Sequence, residues 1–220
     1  SYKLQPAPKG IAEAFILGRE FIGADDVTLI LGDNIFYGNL DFLRKALRSN
    51  RGATVFGYYV NDPQRYGVVE FDDHGKAVSL EEKPRQPKSN YAVVGLYVYN
   101  NEVASLARSL QPSARGELEI TDLNRVYLER GDMDVQIMGR GMAWLDTGTP
   151  QALLEVSQFI GAIEKRQGLK VGCVEEVAYL MNYIDRQSFQ GLIAGLPVSD
   201  YRSYLETIER NELIHTSYQG

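Results

Sequence analysis

The chain has 220 residues, 44% hydrophobic and 24% charged, the composition of one globular domain or of one domain with an appendage. With 23 Lys and Arg against 29 Asp and Glu the formal net charge is −6, which argues against a grip on nucleic acid but leaves room for a small anion beside a local cation. A lone cysteine, Cys173, excludes an intrachain disulfide and fits a reducing, cytoplasmic compartment. Two histidines, His74 in a polar turn and His215 in the tail, are too few for a His-rich zinc site and argue against a Ser-His-Asp triad. The longest nearly apolar run, Tyr91 to Tyr99, is too short to span a membrane, and the opening residues do not read as a signal peptide.

In chain order, Ile11, Ala14, Phe15, Gly18 and Phe21 recur at helical spacing and predict a helix over Gly10 to Phe21. Val27 to Leu31 is a short, continuously apolar run, expected to be a strand buried on both faces in a parallel sheet. It ends at Gly32-Asp33-Asn34. A second helix, Leu40 to Leu47, with Leu40, Leu43, Ala46 and Leu47 inward, and a strand, Ala53 to Val60, continue a doubly wound pattern. After Pro63 the pattern changes. Gly67 to Phe71 and Lys76 to Leu80 read as an antiparallel hairpin, followed by a surface loop and a β run from Tyr91 to Tyr99. Helices are predicted over Glu102 to Leu110 and Ile120 to Glu129, then a strand from Asp134 to Met138. Thr149 and Pro150 open a long helix ended by Gly168, and short helices follow, among them Asp200 to Arg210. The expected division is an α/β layer over 1–150 and a helical appendage over 151–220.

Ligands of open α/β sheets bind at the carboxyl ends of strands. Asp33 and Asp146 both hold such positions, and two neighbouring carboxylates can hold a hard cation together with substrate phosphates; each can equally cap a turn. Glu81-Glu82-Lys83-Pro84 is either a solvated strand edge or a pair in which Lys83 meets a phosphate and Glu82 accepts from sugar hydroxyls. Tyr66-Gly67 can let a flat ring lie against backbone. Gln5 to Gly10 precedes a helix whose amides favour an anion, and the Gln5 amide can read a base edge. The Arg115-Gly116-Glu117 stretch is a loop or a charged first helical turn.

Taken together, Gln5-Pro6-Ala7-Pro8-Lys9-Gly10, Leu31-Gly32-Asp33-Asn34, Arg65-Tyr66-Gly67-Val68-Val69-Glu70-Phe71, Leu80-Glu81-Glu82-Lys83-Pro84, Tyr91-Ala92-Val93-Val94-Gly95, Arg115-Gly116-Glu117-Leu118-Glu119 and Trp144-Leu145-Asp146-Thr147-Gly148-Thr149 resemble the glucose-1-phosphate thymidylyltransferase family of the sugar nucleotidyltransferase superfamily. The likeness runs from Ser1 to the neighbourhood of Asp200. It implies a Rossmann-like mixed sheet with a β-hairpin sugar-binding part and a C-terminal helical appendage. The implied reaction couples dTTP and glucose 1-phosphate to dTDP-glucose and pyrophosphate, with Mg²⁺, on the way to dTDP-rhamnose. By the same resemblance Asp33 and Asp146 are the metal ligands and, with Lys83, the catalytic set. Gln5 and Gly10 lie at the nucleotide, while Gly67, Glu82, Lys83 and Val93 surround the sugar phosphate with Asn34, Tyr66, Arg115 and Trp144 nearby. Family members assemble as tetramers and bind a dTDP-sugar effector where Gly168 to Glu176 stands here; Leu180 replaces an arginine that would meet that anion.

The family also opens with a strand and a Gly-rich phosphate loop that carries an arginine, and neither stands in these residues. The resemblance therefore implies N-terminal strands missing from this chain, roughly 30 residues or more, and a polypeptide that is inactive and poorly stable by itself. Two other readings stay open: cytidylyl or uridylyl transfer to glucose 1-phosphate, and a noncatalytic sugar-nucleotide-binding subunit.

Overall fold

The apolar run Tyr91–Tyr99 is strand β6 in the computed structural model, which describes residues 1–210, and every residue from Ala92 to Tyr99 is buried. Its side chains alternate between two cores, as a pleated strand requires. Val93, Tyr97 and Tyr99 pack with Phe15, Leu106, Leu123 and Tyr127 on one face, and Ala92, Val94, Leu96 and Val98 pack with Ala46, Phe56 and Trp144 on the other. The other strands are β1 (Val27–Ile30), β2 (Asn34–Tyr37), β3 (Ala53–Tyr59), β4 (Gly67–Phe71), β5 (Ala77–Glu82), β7 (Met133–Ile137) and β8 (Ala143–Asp146). The main sheet runs β5-β4-β6-β3-β7, and β1 lies beside β6 end to end with β4, because Val27 to Ile30 pair with Tyr99 to Leu96 while Val68 pairs with Ala92. A separate two-stranded sheet joins β2 to β8. The helices of this part are α1 (Glu13–Leu17), α2 (Arg19–Ile22), α3 (Asp41–Ser49), α4 (Val103–Ser109) and α5 (Ile120–Arg130).

The sheet is mixed, and this corrects the parallel environment expected for β1. That strand runs antiparallel to β6, Thr28 is exposed and Ile30 is 55% exposed. An apolar run of this length does not distinguish one covered face from two. Parallel pairing occurs instead between β3 and β7. The helix expected from Gly10 to Phe21 is two short helices meeting at Gly18, with Phe21 exposed. Leu40 and Leu47, expected inward, are exposed; Ala46 is buried, and Phe42 meets Phe56 edge-on at 5.1 Å. An Asx turn, Asp41 N–H to Asn39 Oδ1 at 2.8 Å, starts α3 after Leu40. Strand β2 is an element for which the sequence pattern predicts nothing between the end of the Val27 to Leu31 run and the helix from Leu40.

The chain divides into two compact units, with the boundary after Val156. It falls inside α6 (Pro150–Gln167), whose first turn is capped by Thr149 Oγ1 accepting from Ala152 N–H at 3.2 Å. The second unit adds α7 (Val174–Leu180), α8 (Arg186–Gly195) and α9 (Asp200–Glu209) around Cys173, Phe189, Ile193, Leu205 and Ile208. Asp185 and Ser199 cap α8 and α9 through their side chains. Glu176 is buried there and accepts from the Tyr204 hydroxyl at 2.6 Å; burial pushes its carboxyl above the ordinary range. His215 lies outside the described residues. Among the described residues no helix is long and apolar enough to cross a membrane.

Candidate active site

The β2–β8 pairing sets Asn34 opposite Asp146, so Asp33 and Asp146 emerge at the same end of the small sheet. Thr147 ties them together, donating its N–H and its hydroxyl to the Asp33 carbonyl at 2.8 and 2.9 Å. The carboxylates converge: a β-carbon added to Gly148 would stand 3.0 Å from Asp146 Oδ1 and 3.6 Å from Asp33 Oδ2. Asn34 holds this corner. Its Oδ1 accepts from Trp144 Nε1 at 2.6 Å and from Gly95 N–H at 3.0 Å, and its Nδ2 donates to Asp33 Oδ1 at 2.8 Å. Among the described residues no three His, Cys, Asp or Glu side chains gather into a metal-binding group, so any cation here must take its remaining ligands from water or phosphate.

Arg65 closes the other side. One guanidinium nitrogen pairs with Asp62 at 3.0 Å, a second lies 3.8 Å from Asp146 Oδ2, and the group stacks over the Tyr66 ring at 5.3 Å. Tyr66 in turn meets Trp144 edge-on at 5.0 Å. Burial pushes the Tyr66 phenol up, and the negative charge of Asp146 adds to it while Arg65 opposes. Tyr58, Arg65, Tyr66, Trp144, Asp146 and Val156 line a cleft of about 200 Å³.

The hairpin supplies the second half. Gly67 on β4 pairs with Glu82 on β5, and Glu82 Oε2 accepts from the Thr121 hydroxyl at 2.5 Å at the start of α5. A β-carbon on Gly67 would come within 3.2 Å of Thr121 Oγ1 and 3.4 Å of Glu82 Oε2, so glycine keeps this pocket open. Val93 lies beside it. Lys83 follows in the left-handed region at φ +46°, its N–H held by the Tyr66 carbonyl at 3.0 Å, and its ammonium stays half-exposed 3.8 Å from Glu82 Oε1. Arg115 grips Glu119 through both carboxylate oxygens at 2.9 Å, and this pairing raises the guanidinium pKa. Tyr97 joins the two halves. It is 4% exposed, and Glu82 and Asp33 both add to burial in pushing its phenol up.

At the third end, Gly10 adopts φ +95° and a β-carbon there would stand 2.3 Å from the Leu118 carbonyl oxygen. Lys9 and Ala12 exchange backbone hydrogen bonds with Leu118 at 2.7 and 3.2 Å. The amides expected to favour an anion at the helix start are already used: Ala12 donates to Leu118, Glu13 to Gly10, Ala14 to Ile11 and Phe15 to Ala12. Gln5 is exposed, and its Nε2 donates to the Gly10 carbonyl at 3.2 Å and to Glu13 Oε2 at 2.7 Å.

Sequence reading missed Glu13, Arg65, Tyr97, Glu119 and Thr121. Four of these partnerships cross long stretches of chain or depend on a turn. Arg65 and Glu119 stood inside motifs already quoted, though without a role of their own.

A mixed sheet with two strand-end carboxylates beside a hairpin pocket belongs to a nucleotide-handling class of transferase, and the sequence model of the nucleotidyl transferase family matches residues 1–162. A glucose-1-phosphate thymidylyltransferase of Xanthomonas campestris pv. campestris (strain B100) is 51% identical over 216 residues, covering 97% of this chain and 73% of the relative. One from Mycobacterium tuberculosis (strain ATCC 25618 / H37Rv) is 52% identical over 213 residues, covering 96% and 74%. The chain therefore belongs to the glucose-1-phosphate thymidylyltransferase family of nucleotidyl transferases. A provisionally named glucose-1-phosphate thymidylyltransferase from Bacillus anthracis, crystallised with a sucrose, superposes with a TM-score of 0.66 at 41% identity; the match covers 72% of this chain and 64% of that one. A UDP-glucose pyrophosphorylase complexed with UDP-glucose, at 23% identity and a TM-score of 0.65, shares the fold.

Proposed function

We propose that this chain contributes the site for transfer of a thymidylyl group from dTTP to glucose 1-phosphate. A phosphate oxygen of the sugar phosphate attacks the α-phosphorus of dTTP in line, the bond to the β-phosphate oxygen breaks, and pyrophosphate leaves with dTDP-glucose formed. Little covalent work falls to the protein in such a step; positioning and charge neutralisation do most of it.

The observation that carries this reading is the convergence of Asp33 and Asp146 beside Gly148, taken with relatives of that activity at about half identity. Two carboxylates, Asp33 exposed and Asp146 half-buried, fit a hard divalent cation such as Mg²⁺ that keeps waters and phosphate oxygens as its other ligands. Bound there, it would neutralise charge on the triphosphate. Lys83 supplies a point charge for the sugar phosphate, and its left-handed backbone turns it out of the β5 ladder. Glu82, fixed by Thr121, accepts from sugar hydroxyls beside Gly67 and Val93. Arg115, Tyr66 and Trp144 complete the sugar-phosphate side, with Asn34 holding Trp144 in place. Gln5 and Gly10 take the base.

A homo-oligomer, a tetramer by family likeness, and a dTDP-sugar effector belong to the same proposal, as does a cytoplasmic setting, which the free thiol of Cys173 supports. The test is pyrophosphate release by purified full-length protein given glucose 1-phosphate, Mg²⁺ and dTTP, CTP or UTP. The expected result is a higher rate with dTTP than with CTP or UTP, and a rate that Asp33→Asn or Asp146→Asn lowers by about 10²-fold or more. Equal rates with all three nucleotides, or full activity in both variants, would refute it.

A further inference from the structure

The Gln5 carboxamide aims its nitrogen at two oxygens at once, the Gly10 carbonyl at 3.2 Å and Glu13 Oε2 at 2.7 Å. A carbonyl and a carboxylate have no hydrogen to give. Rotating the amide by half a turn would set its own oxygen against both, losing two hydrogen bonds and opposing like partial charges. The orientation of this amide therefore follows from its neighbours, and Oε1 points away from them. Glu13 is held in its turn. It is the first residue of α1, its side chain is 14% exposed, and its other oxygen faces Lys9 Nζ at 4.0 Å.

We propose that Glu13 is a positioning residue that decides which base edge Gln5 reads. The inference rests on the reading of Gln5 as a base contact. An outward acceptor selects a base that offers a ring N–H, as thymine and uracil do at N3, and turns away cytosine, whose N3 is itself an acceptor. Glu13 thus makes an otherwise ambivalent amide selective for the imide bases without touching the nucleotide.

The test measures dissociation constants of dTTP, dUTP and dCTP by calorimetry on the whole protein, so that sugar and phosphates stay constant. The unchanged protein should favour dTTP and dUTP over dCTP. Glu13→Ala, and Glu13→Met of similar length and helix propensity, should lower the dTTP-over-dCTP ratio about tenfold, the scale of one hydrogen-bond preference. Glu13→Gln keeps an acceptor oxygen at the same reach and should hold the ratio within about twofold. In a Gln5→Ala background, Glu13→Met should leave the ratio unaltered, the signature of coupling through Gln5. A Glu13 that merely supports the helix start would weaken all three ligands equally and leave the ratio intact. That result overturns the proposal, as does equal binding of dTTP and dCTP by the unchanged protein. Gln5→Ala separates the two layers. If it leaves dTTP binding unaltered, the base contact itself fails; if it abolishes the preference while the Glu13 variants keep it, only the role of Glu13 falls.

Discussion

Replacing Gly95 by alanine puts a methyl group into the hub of the carboxylate corner. The added carbon would stand 2.7 Å from Asn34 Oδ1 and 2.8 Å from its Cγ and Nδ2. Gly95 sits in buried β6, which cannot retreat, so the Asn34 side chain must move. That movement breaks its bonds to Trp144, to the Gly95 amide and to Asp33. Overpacking and the lost hydrogen bonds together should cost about 3 kcal/mol, or roughly 6–12 °C in Tm for a chain of this size. Trp144 is the single tryptophan, so its fluorescence reports on this corner alone, and its emission should shift as the indole N–H loses Asn34. Circular dichroism melts and emission spectra of the Gly95→Ala protein provide the assay. An unchanged Tm together with unchanged Trp144 emission would refute the packing argument.

The control is Gly161, midway along α6 with no atom within 4 Å of an added β-carbon; Gly161→Ala should stabilise by about 0.4–1 kcal/mol in chemical denaturation, and a loss of stability would count against that helix geometry. Thr121→Val removes the hydroxyl that fixes Glu82 while keeping shape, so KM for glucose 1-phosphate should rise about tenfold, given the strength of a hydrogen bond to a charged group, with kcat changing less. An unaltered KM would separate Glu82 from sugar binding. Glu176 gives a pH signature: because burial raises its folded pKa, the native state binds more protons than the unfolded chain, and stability falls as pH rises through the raised value. Glu176→Gln stays uncharged, so it should match the unchanged protein in acid and exceed it at alkaline pH in urea titrations. A constant difference across pH would refute this.

Long apolar signals translated well into structure, and short or distant ones did not. The nine-residue run from Tyr91 to Tyr99 forms β6 in the middle of the sheet, buried from Ala92 onward. Four residues from Val27 to Ile30, three of them apolar, carry no record of whether a second neighbour covers them, so the both-faces reading of β1 failed. Asp33 and Asp146 could be named from strand-end position, and the geometry brings them together. What positions them is a different matter. Trp144 reaches Asn34 across 110 residues and Thr121 reaches Glu82 across 39, and no local pattern encodes such a meeting. Arg115 looked ambiguous because its partner choice, Glu119 one turn on, depends on how the loop enters α5. Gln5 was legible as an amide able to donate and accept; which atom faces outward became decidable only with Glu13 and the Gly10 carbonyl beside it.

The clasp between Thr147 and Asp33 spans 114 residues of chain. During synthesis at about 5–20 residues per second, the first carboxylate must wait on the order of ten seconds for its counterpart to emerge. The central strands and the hairpin are all translated in that interval, whereas β8 arrives last among the strands of the described residues. If the two carboxylates hold a cation as proposed, a nascent chain would build most of its described strands before it could capture that ion.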